Sequence, residues 1–271
     1  MRMKLPLALA IFAGLMLPTS VAAIVKRHDI SDAAYLALES EFPALFTLYK
    51  TEAGHGDCIA TLVAPQWAIT AAHCTRDKKF IEALAKEDGG HPVSIDGHVT
   101  SITHVVRYPG SETFEAPDIA MLKLRAPITH VRPMPLYRET DEQGRRVLIP
   151  GWGGTGDGKM GLGQEDGFFR VAENIVDSAD GPILWWIFDQ PQPSGKAITL
   201  EGISGPGDSG GPALISTPDG LAVAGISAGQ DSLEGPEGLY GVMELFIRIS
   251  SLIPWIEDSM EEDRSAADPG T

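Results

Sequence analysis

The sequence predicts a single all-β domain. The 271-residue chain contains 30 glycines and 20 prolines, and it has few helix signals, a combination typical of many short strands joined by turns. Strand-like apolar runs occur at residues 46–63, 93–124, 146–149, 183–187 and 221–226. Two stretches depart from this pattern. Residues 77–87 fit one short helix, and residues 251–260 carry an apolar stripe that predicts a C-terminal helix.

The first 23 residues have the features of a secretory signal peptide. Arg2 and Lys4 precede an apolar core at residues 5–17, and residues 21–23, Val-Ala-Ala, form a small-residue cleavage pattern. The apolar core is too short to cross a bilayer, which requires about 20 residues. We therefore expect a secreted or periplasmic protein that leaves the membrane once residues 1–23 are removed.

Charge and composition exclude several kinds of partner and ligand. A net charge of −16 argues against nucleic-acid or anionic-membrane binding, because both require basic surface. Residues 261–271 are polar and acidic, so a disordered tail is expected. No cluster has metal-ligand spacing, so no catalytic metal and no cofactor is predicted. A structural calcium ion stays open, and we expect a monomer.

The two cysteines, Cys58 and Cys74, predict a disulfide, because an even count in an exported protein usually indicates pairing. The alternative is two buried thiols.

A serine lies in a glycine-rich setting at residues 207–212, Gly-Asp-Ser-Gly-Gly-Pro. Because glycine has no Cβ, Gly207 can adopt a conformation in which its backbone N–H and that of Ser209 point into one concavity. Two such donors beside a hydroxyl suit acyl transfer, since negative charge develops on the carbonyl oxygen under attack. The segment therefore predicts a nucleophile with an oxyanion hole. The alternative is a tight turn between two strands.

A base and an acid for this serine are found upstream. His73 follows a strand-like run at residues 61–69, and Asp118 begins an alternating apolar strand. A serine hydroxyl requires an adjacent base, and the imidazole requires a carboxylate that fixes its tautomer. Each residue alone is more often structural. Their occurrence together, in the order His, Asp, Ser, predicts that Asp118 orients His73 and that His73 activates Ser209.

These segments make the chain resemble the trypsin/chymotrypsin-type serine endopeptidases. The similar segments are residues 70–74 (TAAHC), 118–124 (DIAMLKL), 151–155 (GWGGT), 207–212 (GDSGGP) and 225–229 (GISAG). The resemblance implies two packed six-stranded antiparallel β-barrels, about residues 24–140 and 141–250, with the site between them. A single bridge rather than several is more similar to bacterial secreted members than to animal ones.

The resemblance also implies roles for individual residues. His73 is the general base and acid, Asp118 the orienting carboxylate and Ser209 the nucleophile, while the N–H groups of Gly207 and Ser209 form the oxyanion hole. Cleavage after Ala23 would expose Ile24, whose ammonium would insert beside Asp208 and organise that hole.

The same resemblance implies a specificity pocket with Ile203 at its floor. Gly229 and Gly238 lie at its walls, and Ser227 shapes it and bonds to Asp118. An apolar floor predicts cleavage after medium or large apolar residues, although Glu201 is close enough in sequence to change this interpretation.

The predicted function is therefore secreted serine endopeptidase activity on protein or peptide substrates through an acyl-enzyme. Two alternatives remain: a catalytically silent, protease-like binding module, and a processing protease of narrow specificity. An α/β-hydrolase is excluded, because that fold expects Gly-x-Ser-x-Gly and the order Ser, acid, His.

Overall fold

Strands dominate the protein. The computed structural model describes residues 24–50, 57–113, 115–163, 166–193, 195–231 and 236–267. The predicted signal peptide, residues 1–23, and residues 268–271 lie outside these ranges. The strands are β1 Ile24–Lys26, β2 Leu45–Thr47, β3 Ile59–Ala64, β4 Trp67–Thr70, β5 His91–Ile95, β6 His98–Arg107, β7 Ala120–Leu124, β8 Arg146–Gly151, β9 Thr155–Asp157, β10 Gly161–Leu162, β11 Arg170–Ile175, β12 Ser178–Asp180, β13 Ile183–Ile187, β14 Gly202–Ile203, β15 Pro212–Thr217, β16 Gly220–Asp231 and β17 Met243–Arg248. The helices are α1 Lys78–Leu84 and α2 Ile253–Ala267, with 3₁₀ turns at Asp32–Ala34, Glu39–Glu41 and His73–Thr75.

The first half of the chain forms a nearly closed six-stranded antiparallel barrel. Its strand order is β2-β3-β4-β7-β6-β5, and the two edge strands β2 and β5 contact each other. Apolar side chains such as Leu62, Ile69 and Leu122 fill its interior and are fully buried. The predicted all-β, chymotrypsin-like fold is confirmed, and this barrel is its most regular part.

The second half differs from the predicted six-stranded barrel. Its main sheet has seven strands in the order β11-β8-β15-β16-β17-β13-β12 and curves as a half-barrel. A separate four-stranded sheet, β10-β9-β1-β14, lies beside it. The other strands of that sheet have only two or three residues each, so their pairing is set by tertiary contacts rather than by their own sequence pattern.

Strand β1 belongs to the second half, although the predicted boundary assigned residues 24–140 to the first. It runs parallel to β9 and antiparallel to β14. Ile24 and Val25 have no exposed surface and pack in the second hydrophobic core. Burial of these two apolar side chains therefore stabilises the packing of residues 24–26 against the second half.

Both predicted helices are present, but α2 is longer than expected. Helix α1 begins after Asp77, whose carboxylate accepts hydrogen bonds from the N–H groups of Lys79 and Phe80. Helix α2 starts at Ile253 and continues to Ala267, so residues 261–267 are helical rather than disordered. Glutamate, arginine and alanine favour helix, and no glycine or proline interrupts this stretch. None of the helices in the described ranges is both long and apolar enough to span a membrane.

Candidate active site

The register of two neighbouring strands places His73 and Asp118 at the same edge of the barrel. In the antiparallel pair of β4 and β7, Thr70 lies opposite Ala120. His73 follows β4 in its 3₁₀ turn, and Asp118 lies just before β7. Two segments distant in sequence therefore meet because their strands are hydrogen-bonded neighbours.

Both carboxylate oxygens of Asp118 accept hydrogen bonds from His73. Oδ1 accepts from the backbone N–H at 2.8 Å, and Oδ2 lies 2.5 Å from Nδ1 of the ring. Because Nδ1 is the donor, a neutral His73 ring carries its lone pair on Nε2. The His73 side chain is 39% exposed and that of Asp118 is 22% exposed, so the base is accessible while its partner is more sheltered.

The turn that carries His73 is held from two sides. The guanidinium of Arg107 on β6 donates to Thr75 Oγ1 at 2.6 Å and to the Thr75 carbonyl at 2.7 Å. The hydroxyl of Tyr49 donates to the Cys74 carbonyl at 2.5 Å. These bonds fix the backbone directly after the histidine, which restrains the position of the ring.

The predicted disulfide between Cys58 and Cys74 is confirmed. Next to it, the Cys58 N–H donates to the Gly207 carbonyl at 2.9 Å, and the Ile59 N–H donates to the Ser209 carbonyl at 2.8 Å. The start of β3 is therefore bonded to the serine loop and cross-linked to the histidine turn. This single segment fixes the two halves of the site relative to each other.

Within the described ranges, two backbone N–H groups next to the Ser209 hydroxyl are without an acceptor. Neither Gly207 nor Ser209 donates its N–H to any group in the part of the chain that the structure describes. Gly207 has φ +95°, a conformation that favours glycine. Unsatisfied donors that flank a nucleophile are what a developing oxyanion requires.

Ser209 and His73 line one open cavity of about 910 Å³, together with Gly207. Two lysines, Lys50 and Lys79, and two aspartates, Asp57 and Asp77, also line it, so these charged side chains balance. No hydrogen bond joins Ser209 Oγ to the His73 ring among the described residues. The two groups therefore share a space that is large enough for a peptide, without being bonded to each other.

Asp208 is buried and holds two backbone amides. Oδ1 accepts from the Gly153 N–H at 2.7 Å, and Oδ2 accepts from the Gly205 N–H at 2.9 Å. Ile24 lies in the same region, where its carbonyl accepts from Thr155 Oγ1 at 2.8 Å. Gly153 and Thr155, two residues apart, thus contact Asp208 and Ile24 respectively, and the activation pair itself stays a prediction.

The residues predicted to form the specificity pocket occupy different environments. Ile203 is fully buried in the second core, and its backbone pairs with Val25. Gly238 is also buried, and a Cβ there would lie 2.8 Å from Leu162 Cδ2. Only Gly229, with φ +142°, has open space where a Cβ would point. Ile203 therefore packs in the second core, and its place at a pocket floor stays a prediction.

Ser227 bonds to a different partner from the one expected. Its backbone carbonyl accepts from the Gly210 N–H at 2.9 Å, and its N–H donates to the Gly211 carbonyl at 2.8 Å. Its Oγ lies 3.3 Å from Ser204 Oγ, and within the described ranges it makes no bond to Asp118. Ser227 thus links the serine loop to a second buried hydroxyl.

A sequence model of the trypsin family matches residues 37–256. The chain belongs to the trypsin family. It is 25% identical over 219 residues to an uncharacterized peptidase of Corynebacterium glutamicum, covering 78% of this chain but only 66% of that relative. It is also 25% identical over 224 residues to human kallikrein-11, covering 76% of this chain and 72% of that relative. The chain thus spans about two thirds of the length of the uncharacterized peptidase.

Sequence reasoning missed two buried polar residues that are linked through Ser227 to the serine loop, Ser204 and Glu244. Glu244 is fully buried on β17, and Ser204 Oγ donates a short hydrogen bond to its Oε1. Burial raises the pKa of Glu244 well above its usual range, and the charges of Asp208 and Glu237 add to the effect. The sequence does contain one signal for the burial of Glu244. It lies two residues before Phe246 in an apolar strand, so both side chains lie on the same face of β17.

One group of potential metal ligands lies at the site in the described part of the chain, namely Cys58, His73 and Cys74. The two cysteine sulfurs are joined in the disulfide, so neither can act as the thiolate ligand that zinc prefers. Of these three residues, only His73 therefore keeps a free ligand atom.

Proposed function

We propose that the protein is an exported serine endopeptidase that cleaves peptide bonds through an acyl-enzyme. The observation that carries the proposal is the pair of hydrogen bonds that His73 makes to the two carboxylate oxygens of Asp118. These bonds leave Nε2 as the basic nitrogen, in a cavity that His73 shares with Ser209. A carboxylate that orients the ring, a serine in the same cavity and two backbone N–H groups beside that serine are together what acyl transfer requires.

In the proposed mechanism, Ser209 Oγ attacks the carbonyl carbon of the scissile peptide and His73 Nε2 takes the hydroxyl proton. A rotation of the serine side chain towards Nε2 on substrate binding completes the contact. The N–H groups of Gly207 and Ser209 stabilise the oxyanion. His73 then returns the proton to the leaving amine, and water repeats the sequence on the ester to release the acid.

Export is supported by two observations. The leader at residues 1–23 has a signal-peptide pattern. Disulfides such as the one between Cys58 and Cys74 persist in oxidising compartments and are rare in the cytosol. Together these features favour an extracellular or periplasmic peptidase.

We further propose that removal of the leader activates the enzyme. Ile24 has φ +68°, which is an outlier for a β-branched residue, and this angle exists only while Ala23 is attached. Cleavage after Ala23 removes that strain and creates an ammonium on the buried Ile24, and the proposed partner of that ammonium is the carboxylate of Asp208, which is also buried. Intact mass measurement of the exported protein tests this step. A mature chain that begins anywhere other than Ile24 contradicts it.

Covalent labelling tests the catalytic role directly. A fluorophosphonate probe should modify the exported protein at Ser209 and should not modify Ser209→Ala. Ser94→Ala is the matched control, because Ser94 is an exposed serine that lines the same cavity. The labelled protein should also cut several members of a peptide library.

The two alternatives give different results in the same experiment. A silent binding module binds peptides but is neither labelled nor able to cut them. A narrow processing protease is labelled at Ser209 yet cuts almost none of the library. Absence of labelling on a correctly matured chain overturns the proposed function.

A further inference from the structure

Arg107 is a partly buried cation whose hydrogen bonds go to uncharged groups. Its guanidinium lies between the end of β6 and the histidine turn, His73–Thr75. Nε donates to Thr75 Oγ1 at 2.6 Å, and Nη2 donates to the Thr75 carbonyl at 2.7 Å. Among the described residues, no carboxylate pairs with this guanidinium and Nη1 has no acceptor. The group is therefore held in place but keeps free donors.

Other guanidiniums that are shielded from solvent in this fold are paired with carboxylates. Arg248 is bonded to Glu142, and the fully buried Arg170 is bonded to two aspartates. The hydrogen bond from Glu142 raises the pKa of Arg248. Arg107 shows the opposite shift, because burial lowers its pKa and the nearby charge of Arg76 lowers it further. The positive charge of Arg107 is thus not compensated by the described part of the chain.

Arg76 supplies a second guanidinium of the same kind. It follows Thr75 directly, and its Nη2 donates to the carbonyl of Ser111, in the turn after β6, and lies 3.4 Å from Ser111 Oγ. The carboxylate next to it in sequence, that of Asp77, accepts instead from two N–H groups at the start of α1. Within the described ranges, Arg76 forms no ion pair. Two cations are therefore held at one end of β6 by neutral partners.

This arrangement has the chemistry of an oxyanion site. Two like charges held close together repel each other, and an anion that contacts both removes that cost. Planar guanidiniums match the oxygens of phosphate and sulfate, and the resulting hydrogen bonds are charge-assisted. Arg76 is exposed and Arg107 is partly exposed, so an ion can reach them from solvent. Because each guanidinium is already held by a carbonyl, binding immobilises little additional side chain.

We infer that a phosphate or sulfate group is bound by Arg76 and Arg107 together and holds the histidine turn against the end of β6. Neither arginine lines the cavity that contains Ser209, so this site is separate from the proposed catalytic centre. The inference goes beyond the proposed peptidase function and does not depend on it. A free ion and the same group on a larger molecule both provide this chemistry.

Occupation of the site should stabilise the folded protein. A group that contacts both arginines requires the histidine turn and β6 to be together, which is true only of the folded state. Arg107 is bonded to Thr75, two residues after His73, so the bound group also restrains the segment that carries the histidine.

Titration calorimetry with inorganic sulfate tests the inference on the exported protein. We expect saturable binding of one ion per molecule by the wild type. Arg76→Gln should bind sulfate at least about tenfold more weakly, the loss expected when a hydrogen bond to a charged group is removed. Arg76 is exposed, so the variant should fold, and a circular dichroism spectrum checks this.

Arg125→Gln is the matched control. Arg125 is also an exposed arginine whose guanidinium donates to backbone carbonyls, those of Asp88 and Gly89. Its replacement removes the same charge and should change the affinity for sulfate by less than about threefold, as expected for a solvent-screened charge. An absence of saturable binding by the wild type overturns the inference. So does an equal fall in affinity for Arg76→Gln and Arg125→Gln, since this would reflect net charge alone.

Thermal unfolding provides a second readout. Sulfate should raise the Tm of the wild type above its value in sodium chloride of the same ionic strength, and it should raise the Tm of Arg76→Gln less. Sulfate also stabilises proteins in general, because it is excluded from their surface. An equal rise in the two proteins would therefore be a general salt effect and would overturn the inference.

A sulfated disaccharide distinguishes the two sources of the anion. Tighter binding than that of inorganic sulfate, lost in Arg76→Gln, assigns the site to a sulfate group on a larger molecule. Equal or weaker binding assigns it to the free ion. None of these measurements requires peptide cleavage, so the inference and the proposed function can fail separately.

Discussion

Asp118 binds His73 twice, once through the backbone N–H and once through ring Nδ1. The backbone bond ties the carboxylate to the turn itself, so the ring and its partner move as one unit. Rotation of the ring would break a charge-assisted hydrogen bond, which is about twice as strong as a neutral one. The position of Nε2 in the cavity is therefore fixed by one side chain.

Replacement of Asp118 by asparagine should lower kcat by about 10⁴ while leaving the fold intact. The amide NH₂ cannot accept from Nδ1–H, so the ring adopts the tautomer whose proton is on Nε2 and loses its basic nitrogen. Kinetics on any cleaved peptide and a thermal unfolding curve provide the measurement. Asp219→Asn is the control, because Asp219 is exposed in the turn between β15 and β16 and its replacement should change neither turnover nor stability. Near-normal turnover in Asp118→Asn would show that another acid serves the histidine.

The close approach of Gly210 to the first barrel leads to a second prediction. A Cβ at Gly210 would lie 2.2 Å from Thr70 Oγ1 and 2.5 Å from the Ile59 carbonyl. Gly210→Ala should therefore unfold at a much lower denaturant concentration, with a loss of roughly 3 kcal/mol or more from overpacking and strain. The serine loop must move to relieve the clash, so activity should fall as well.

Gly144→Ala separates steric clash from backbone strain. Gly144 has φ +78°, almost the same as the +77° of Gly210, but no atom lies within 4 Å of its Cβ position. The variant should lose only about 1–2 kcal/mol, the cost of a left-handed alanine. Equal losses in the two variants would mean that close packing at Gly210 has no energetic weight.

Short local motifs explain why much of the site could be predicted. The roles of His73, Asp118 and Ser209 were predicted from the few residues that surround each one in the sequence. The structure brings the first two into contact. The disulfide was predictable because only two cysteines exist. The strands of the first barrel were visible as alternating apolar runs with the period of a half-buried sheet.

The pocket could not be predicted, because it depends on pairing between distant segments. Ile203 is buried because β14 pairs with β1, a contact that no local pattern indicates. The hydrogen bond to Glu244 likewise depends on the position of Ser204, which lies in a loop. The second sheet differs from a closed barrel for the same reason, since very short strands carry almost no periodic signal.

Removal of the disulfide should destabilise the protein by about 3 kcal/mol, because Cys58 and Cys74 close a loop of 16 residues. The double variant Cys58→Ala, Cys74→Ala should show a lower urea midpoint than the wild type under non-reducing conditions. A reductant should shift the wild type in the same direction and leave the double variant unchanged. An unchanged midpoint in the variant would show that the bonds from β3 to the serine loop suffice.

The carboxyl of Glu201 should make stability depend on pH. Burial raises its pKa to about 7, although the backbone N–H groups of Asp189 and Ile198, both at 2.6 Å, favour the charged form. The pKa in the unfolded chain is near 4.5. Between these values the folded protein binds more protons than the unfolded one, so the free energy of unfolding falls as pH rises from about 4.5 to about 7.

Glu201→Gln should flatten that slope, because the amide does not titrate. The variant should be less stable overall, since its NH₂ faces a backbone N–H that now lacks an acceptor. Each unit of pKa difference corresponds to about 1.4 kcal/mol. Between about pH 4.5 and about pH 7, the free energy of unfolding should therefore fall by a few kcal/mol more in the wild type than in Glu201→Gln. Urea unfolding at several pH values measures this, with the exposed Glu41→Gln as control. Parallel slopes for wild type and Glu201→Gln would mean that another buried acid carries the pH dependence.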